Sequence, residues 1–274
     1  MVGSAANVLV QLAASDPDRI AIESDEGVVT YGELNAAVDL LAGWIADAVG
    51  DSPVAVGVRA RSPRQIAVAL QAISRAGHIA VPLDPSSPVD RLEIMVADVD
   101  APLVLTDDPA YFASPSGVSF RVAGIDDALS AGRPFGPPAE VSDDAVTAII
   151  FTSGSTGAPK GTMTTQSRSF NMNARYEAAG IGPGSRRFGL PMTGSISNSE
   201  AMVTFSILSG ATIVYYDIKA RGVQPVAQWL RDKKIQYFAT VPTMLRLMMD
   251  ELGADEKWPD LEIVLTWGEG MSWN

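Results

Sequence analysis

Residues Thr152, Ser153, Gly154, Ser155, Thr156, Gly157, Ala158, Pro159, Lys160 and Gly161 form a run of small, hydroxyl-bearing and glycine residues closed by a cation. The apolar stretch Ala148-Ile149-Ile150-Phe151 leads straight into it. Glycine removes Cβ clashes, so successive N–H groups can converge on one point, while hydroxyls add donors and Lys160 adds a point charge. That donor set suits an anion with several oxygens. Hydrogen bonds to a charged group contribute about 1.5–3 kcal/mol each, so three or four can hold a polyphosphate. The plain alternative is a flexible polar surface loop, but its position directly after a buried strand and its Pro-Lys-Gly ending argue for the anion. A Walker A loop needs Gly-Lys followed by Ser or Thr. Here Lys160 follows Pro159 and precedes Gly161, which excludes that spelling.

Composition narrows the chemistry further. The 274 residues carry 20 basic and 32 acidic side chains, a net charge of −12, with 47% hydrophobic residues. A core of that size supports one large domain or two smaller ones at roughly 150 residues each. The acid excess argues against a general nucleic-acid binder, which needs a basic surface. A polyphosphate must therefore be held locally, by backbone amides, a few cations and metal. Cysteine is absent, removing disulfides, thiolate metal sites and thiol nucleophiles together. His78 is the one histidine, so a multi-histidine metal centre is excluded. The N-terminus lacks the basic region of a signal peptide, and the apolar stretch 203–216 is too short to span a bilayer. A soluble, cytoplasmic protein is expected.

Something must position the loop, and the alternation of short apolar runs with helix-period segments predicts it: an α/β fold of βα units around largely parallel sheets. Thr30 and Glu33 have capping-box spacing, followed by Leu34, Val38, Leu41 and Ile45 on one face and Gly50 as a stop. Ser62-Pro63 opens a second helix that ends near Gly77. Buried strands are predicted at 54–58, 79–81, 103–105, 146–151, 213–216, 235–239 and 263–265, and further helices at 199–208, 223–233 and 242–252. The Pro/Gly-rich stretch 132–138 and acidic residues 142–144 are the linker-like part. They divide the chain into a first βα subdomain, 1–140, and a second, 141–274, that carries the loop.

At the loop, the sequence resembles the adenylate-forming (AMP-binding) enzymes: acyl-CoA synthetases, luciferases and the adenylation domains of nonribosomal peptide synthetases. Thr-Ser-Gly-Ser-Thr-Gly-x-Pro-Lys-Gly is that family's phosphate-loop signature. The likeness extends to Val29-Thr30-Tyr31-Gly32-Glu33-Leu34, to residues 75–85 with Pro88, Arg91 and Leu92, to Val241-Pro242-Thr243-Met244-Leu245, and to Trp267-Gly268-Glu269. The second of these blocks is closest to the peptide-synthetase branch. The resemblance implies that a carboxylate attacks the α-phosphate of Mg-ATP, releasing pyrophosphate and leaving an acyl-adenylate. A phosphopantetheine or coenzyme A thiol, on a carrier domain in the first case, then takes the acyl group. It further implies that residues 152–161 hold the phosphates, that Gly268 and Glu269 lie against the adenine, and that Gly194, Ser197 and Asn198 line the acyl pocket. No catalytic residue and no metal ligand are assigned. Neither a nucleic acid nor a membrane is an expected partner.

Against the family pattern, Gln166 stands where a histidine is frequent, and Ile196-Ser197 stand where an aromatic-Asp pair grips the α-ammonium of an amino acid. A non-amino carboxylic acid is therefore expected, since an unpaired buried ammonium is costly; Glu200 offers a shifted, less natural carboxylate. Trp267 replaces a glycine beside the adenine. The chain ends at Asn274, before the family's later motifs and small C-terminal domain, so the resemblance implies an incomplete large domain, inactive alone. A non-catalytic nucleotide-binding module of the same family is the alternative. His78 is expected to be structural, Met244, Met248 and Met249 to pack the core, residues 231–234 to form a solvated helix end, and Asp84 to stabilise a turn.

Overall fold

The computed structural model describes residues 5–112, 119–153, 159–178, 186–192, 197–250 and 257–266. Among these described residues, twelve strands lie at Ile20–Ser24 (β1), Gly27–Thr30 (β2), Ala55–Arg59 (β3), Ile79–Pro82 (β4), Leu103–Thr106 (β5), Arg121–Gly124 (β6), Val146–Ser153 (β7), Pro159–Thr165 (β8), Arg187–Met192 (β9), Thr212–Asp217 (β10), Tyr237–Thr240 (β11) and Ile263–Thr266 (β12). Ten helices lie at Ala5–Ser15 (α1), Tyr31–Val49 (α2), Pro63–Arg75 (α3), Val89–Asp98 (α4), Ile125–Ser130 (α5), Gln166–Ala178 (α6), Ser197–Ser209 (α7), Ile218–Arg221 (α8), Val226–Asp232 (α9) and Pro242–Asp250 (α10). A 3-10 turn covers Pro109–Phe112.

The strands form two six-stranded sheets, ordered β12-β11-β9-β10-β1-β2 and β6-β5-β3-β4-β7-β8. Pairing is parallel except for the hairpins β1–β2 and β7–β8, which close one edge of each sheet. The mixed α/β class expected from the sequence is the class observed. Each sheet takes strands from both sides of residue 140, so the two expected subdomains share both sheets.

Both faces of the central strands are covered, which is why they read as continuous apolar runs rather than alternating ones. In β10, Ile213 and Tyr215 face the core shared by the two sheets, while Val214 and Tyr216 face a separate cluster with Trp229 of α9 and Met248 of α10. In β5, Leu103 and Leu105 face the shared core and Val104 faces Leu92 and Val96 of α4. Residues of α2, α3 and α7 fill the shared core, so helices are sandwiched between the sheets and others cover the outside.

Helix α2 shows how local chemistry fixes this layer. The Thr30 hydroxyl accepts from the Glu33 amide, and the Glu33 carboxylate accepts from the Thr30 amide at 2.8 Å. Tyr31, fully buried, then donates its hydroxyl to the Ala211 carbonyl at 2.7 Å, tying α2 to the turn between α7 and β10. The expected linker is strapped down rather than free. Arg75 donates to the Gly136 carbonyl at 2.7 Å, Asp39 accepts from the Phe135 and Gly136 amides, and Arg133 pairs with Asp47. Gly43 permits the approach, because a Cβ there would stand 2.0 Å from the Arg133 carbonyl oxygen.

Several expectations need correction. Met249 is 55% exposed, whereas Met248 is buried and Met244 partly so; α10 covers the sheet with one face, and Met249 falls off it. Lys233 is more than a solvated helix end, since it donates to Glu23 of β1 at 2.7 Å. His78 is 2% exposed, and its Nδ1 accepts from the Val54 amide. Burial pushes its pKa down, outweighing Asp51, so the ring stays neutral and structural. Asp84 accepts from the Ser86 amide at 2.8 Å, the turn role expected of it.

Replacing Tyr31 with Phe leaves buried backbone acceptors without their donor. The expected loss is about 1–3 kcal/mol of stability, larger than that of Thr30→Ala at about 1 kcal/mol. Urea denaturation of both variants measures it; equal losses would show that the Tyr31 tie contributes little.

Candidate nucleotide-binding site

The phosphate-loop candidates are held by a hairpin. Strands β7 and β8 pair antiparallel with Ser153 opposite Pro159, Thr152 opposite Lys160 and Phe151 opposite Gly161. Residues 154–158 thus bridge two directly opposed residues, and the loop's ends are fixed by a ladder. Gly154, Ser155, Thr156 and Gly157 lie outside the described residues, as does Ala158. Lys160 and Gly161, expected to close the loop, are instead the second and third residues of strand β8. The physical reason is that β8 is an edge strand: it pairs on one side only, exposes Lys160 to Met163, and tolerates Pro159 at its start. Gly161 is required by close approach, since a Cβ would sit 2.9 Å from Ile149 Cγ2. Thr152 and Lys160 are both exposed and share one face of the hairpin as cross-strand partners. Lys160 forms no ion pair with a described residue.

The other candidates follow strands as well. Gly194 lies outside the described residues between β9 and α7; Ser197 and Asn198 begin α7, and only their backbone is described. Gly268 and Glu269, with Trp267, follow β12 and lie outside the described residues. Both sheets present carboxyl ends of strands to the same side, as a crevice of about 390 Å³ shows. Its walls are residues 24–26 after β1, 215–217 ending β10, Arg61 after β3 and Pro85 after β4. Ligands of open α/β sheets bind outside the carboxyl ends of the strands, and β7 has its carboxyl end at Ser153.

Gln166 does not face a ligand with its amide. Its Nε2 donates to the Val141 carbonyl at 3.0 Å, and its backbone N–H to Ala145, so it fixes the linker to the start of α6. Glu200, the shifted-register carboxylate, is 8% exposed and faces α3 and α6 across a cavity of about 30 Å³, lined also by Gln71, Gln166 and Thr204. That is room for a water molecule or two, not for an amino acid. Burial raises the Glu200 pKa, against a hydrogen bond from Thr204 at 3.2 Å; no cation lines the cavity among the described residues. Gln71 Oε1 is buried there without a partner.

Sequence reasoning missed the hairpin clamp and the crevice. The clamp carried a faint signal, the alternating Thr162-Met163-Thr164 after the lysine. The crevice carried none, because four separated segments build it.

A doubly wound α/β fold with a Ser/Thr/Gly loop on the carboxyl edge defines a nucleotide-binding class. Residues 9–273 match the model of the family described as AMP-binding enzyme, and the chain belongs to that family. It is 30% identical over 249 residues to the chondramide synthase cmdD of Chondromyces crocatus, covering 88% of this chain and 6% of that protein. It is 31% identical over 284 residues to the phosphinothricin tripeptide synthetase PhsC of Streptomyces viridochromogenes, covering 97% and 24%. The fold is similar to that of o-succinylbenzoate CoA synthetase from Bacillus subtilis in complex with its acyl-adenylate intermediate, with a TM-score of 0.82, 20% identity and coverage of 96% and 54%. The chain therefore spans a minor part of these synthetases and about half of that ligase. No helix among the described residues is long and apolar enough to cross a membrane.

The raised Glu200 pKa fixes a sign. Unfolding lets this acid ionise at about 4.3, so the folded state holds the extra proton, and its contribution is lost as pH rises above that value. Glu200→Gln should therefore gain stability relative to the native protein between pH 4.5 and 7.5, read by urea unfolding at both values. A pH-independent difference would show that Glu200 ionises freely.

Proposed function

We propose that this chain forms the nucleotide-gripping part of an adenylate-forming ligase that activates a carboxylic acid for transfer to a thiol. Family membership supports the reaction class, and the β7–β8 clamp on the loop is the observation that carries the assignment. In the proposed reaction a substrate carboxylate oxygen attacks the α-phosphorus of ATP, and the bond to the β-phosphate breaks. Pyrophosphate leaves, and the acyl-adenylate forms. A thiol sulfur then attacks the acyl carbonyl, AMP departs, and a thioester results. The thiol comes from outside, on coenzyme A or a carrier-borne phosphopantetheine, because the chain has no cysteine.

Thr152, Ser153, Gly154, Ser155, Thr156, Gly157, Lys160 and Gly161 would hold the β- and γ-phosphates. As pyrophosphate leaves, charge grows on these oxygens, and the ladder that holds Thr152, Ser153, Lys160 and Gly161 would lessen the reorganisation needed to meet it. Gly268 and Glu269 would border the adenine. Mg²⁺ bound with ATP would neutralise phosphate charge; among the described residues no cluster of three His, Asp or Glu side chains holds a metal, so no step is derived through it.

The acid is proposed to lack an α-amino group. Residues 196–197 offer no carboxylate, and Glu200 faces the helical layer in a cavity too small for an amino acid. Gly194, Ser197 and Asn198 would then contact a neutral acyl chain.

Lys160→Ala should weaken Mg-ATP binding about tenfold or more, as loss of a charge-assisted hydrogen bond does, and slow carboxylate-dependent pyrophosphate exchange in the longer polypeptide that carries this chain. Calorimetry and an exchange assay over a panel of acids measure both. Unchanged affinity and exchange would refute the loop assignment; nucleotide binding without exchange for any acid would identify a non-catalytic module.

A further inference from the structure

The crevice between the two sheets carries a feature that the phosphate loop does not explain. Tyr215 ends on its wall 5% exposed, and its hydroxyl is buried without a hydrogen-bond partner. A buried polar group left unpaired is costly and is normally satisfied by protein, water or ligand. Two cations on the same walls are also uncommitted. Among the described residues the Arg61 guanidinium donates to the Pro85 carbonyl at a long 3.4 Å and pairs with no acid, and the Lys219 ammonium has no partner.

The acids on the walls are already engaged. Asp25 accepts from Arg221 at 3.4 Å, Glu26 accepts from the Ser62 hydroxyl at 2.6 Å, and Asp217 caps α8 through the Lys219 and Ala220 amides at 3.0 Å. What remains open is two positive donors and one neutral hydroxyl. The three acids still repel a polyanion, so the charge balance suits one compact anionic head. The volume, about 390 Å³, falls in the range of small-molecule pockets rather than single-ion sites.

We propose that this crevice is a second ligand site, separate from the phosphate loop, for a small oxygen-rich organic anion. Arg61 and Lys219 hold its carboxylate or phosphate head, and the Tyr215 hydroxyl bonds a further oxygen. Of the described loop-end residues, none of Thr152, Lys160 and Gly161 lines it. Its wall on this sheet follows β3 and β4, β4 being the neighbour of β7.

The test is calorimetry and ligand-observed NMR on the 274-residue protein with D-glucose 6-phosphate, L-malate and inorganic phosphate as probes. Saturable binding of either organic anion is expected, and which one binds identifies the head group. Lys219→Ala should weaken it about tenfold and Tyr215→Phe about threefold or more, while Mg-ATP should not displace it. Lys219 is on the surface, so its variant decides the matter even where Tyr215→Phe fails to fold. Absence of saturable binding up to about 10 mM (about −2.7 kcal/mol), binding indifferent to Lys219→Ala, displacement by Mg-ATP, or equal binding of inorganic phosphate would each overturn the proposal.

Discussion

Two parallel sheets clamp one layer of helices, and both must turn apolar residues toward it: Val56, Val58, Leu103, Leu105 and Ala148 from one side, Ile22, Phe188, Leu190, Ile213 and Tyr215 from the other. Because βα connections run from the carboxyl end of each strand, a shared helical layer leaves the carboxyl edges of both sheets as the places where loops collect. The segments at the carboxyl ends of β1, β3, β4 and β10 line one crevice because of this constraint. They are far apart in sequence and gain any joint function from the packing beneath them. The buried hydroxyl of Tyr31, joining α2 to the end of α7, is one of the polar ties that register that layer.

Charge follows the same division. The chain is strongly acidic, yet several polar groups of its helical layer are held in neutral form: Tyr31 bonded to a carbonyl, Gln166 to Val141, His78 as an uncharged acceptor, Glu200 driven toward its protonated form. Buried charge survives where it is paired, as Arg59 with Asp107 and Arg75 with Asp39. Lys160, Arg61 and Lys219, exposed and without an acidic partner among the described residues, stand instead at the carboxyl edges of the strands.

How much of this was legible in the sequence depended on whether local and tertiary signals agreed. Helices α2 and α3 were readable because cap, apolar period and stop coincide, and Ser62 indeed accepts from the Gln65 amide. Strands β3, β4, β5 and β10 were readable as apolar runs covered on both faces. Strand β9 was not, since it contains Gly189 and Pro191. The first is forced by Trp229 and Ile235, which would meet a Cβ at 2.9 and 2.8 Å, and the second lies beyond the part of β9 that pairs with β11. Strand β8 hid because an edge strand exposes Thr and Met alternately and begins with proline. Helix α6 hid behind serines and asparagines. The loop's chemistry was written in its residue types, but its clamp and the crevice depend on pairing and on separated segments that no spacing reveals.

The departures from the family pattern become one coherent feature when placed in the fold. A glutamine at 166 is spent on the linker, which is itself strapped to α2 and α3 through Arg75, Asp39 and Arg133. The carboxylate of Glu200 looks into the same layer, beside Gln71 and Gln166, in a space fit for water. Neither group is left over to meet a charged substrate. On the proposed reading, a substrate ammonium would find no carboxylate in the sequence at 196–197 and would leave water unpaired, a cost that a neutral acyl chain does not incur. On that reading, selectivity would come from an omitted partner rather than an added one.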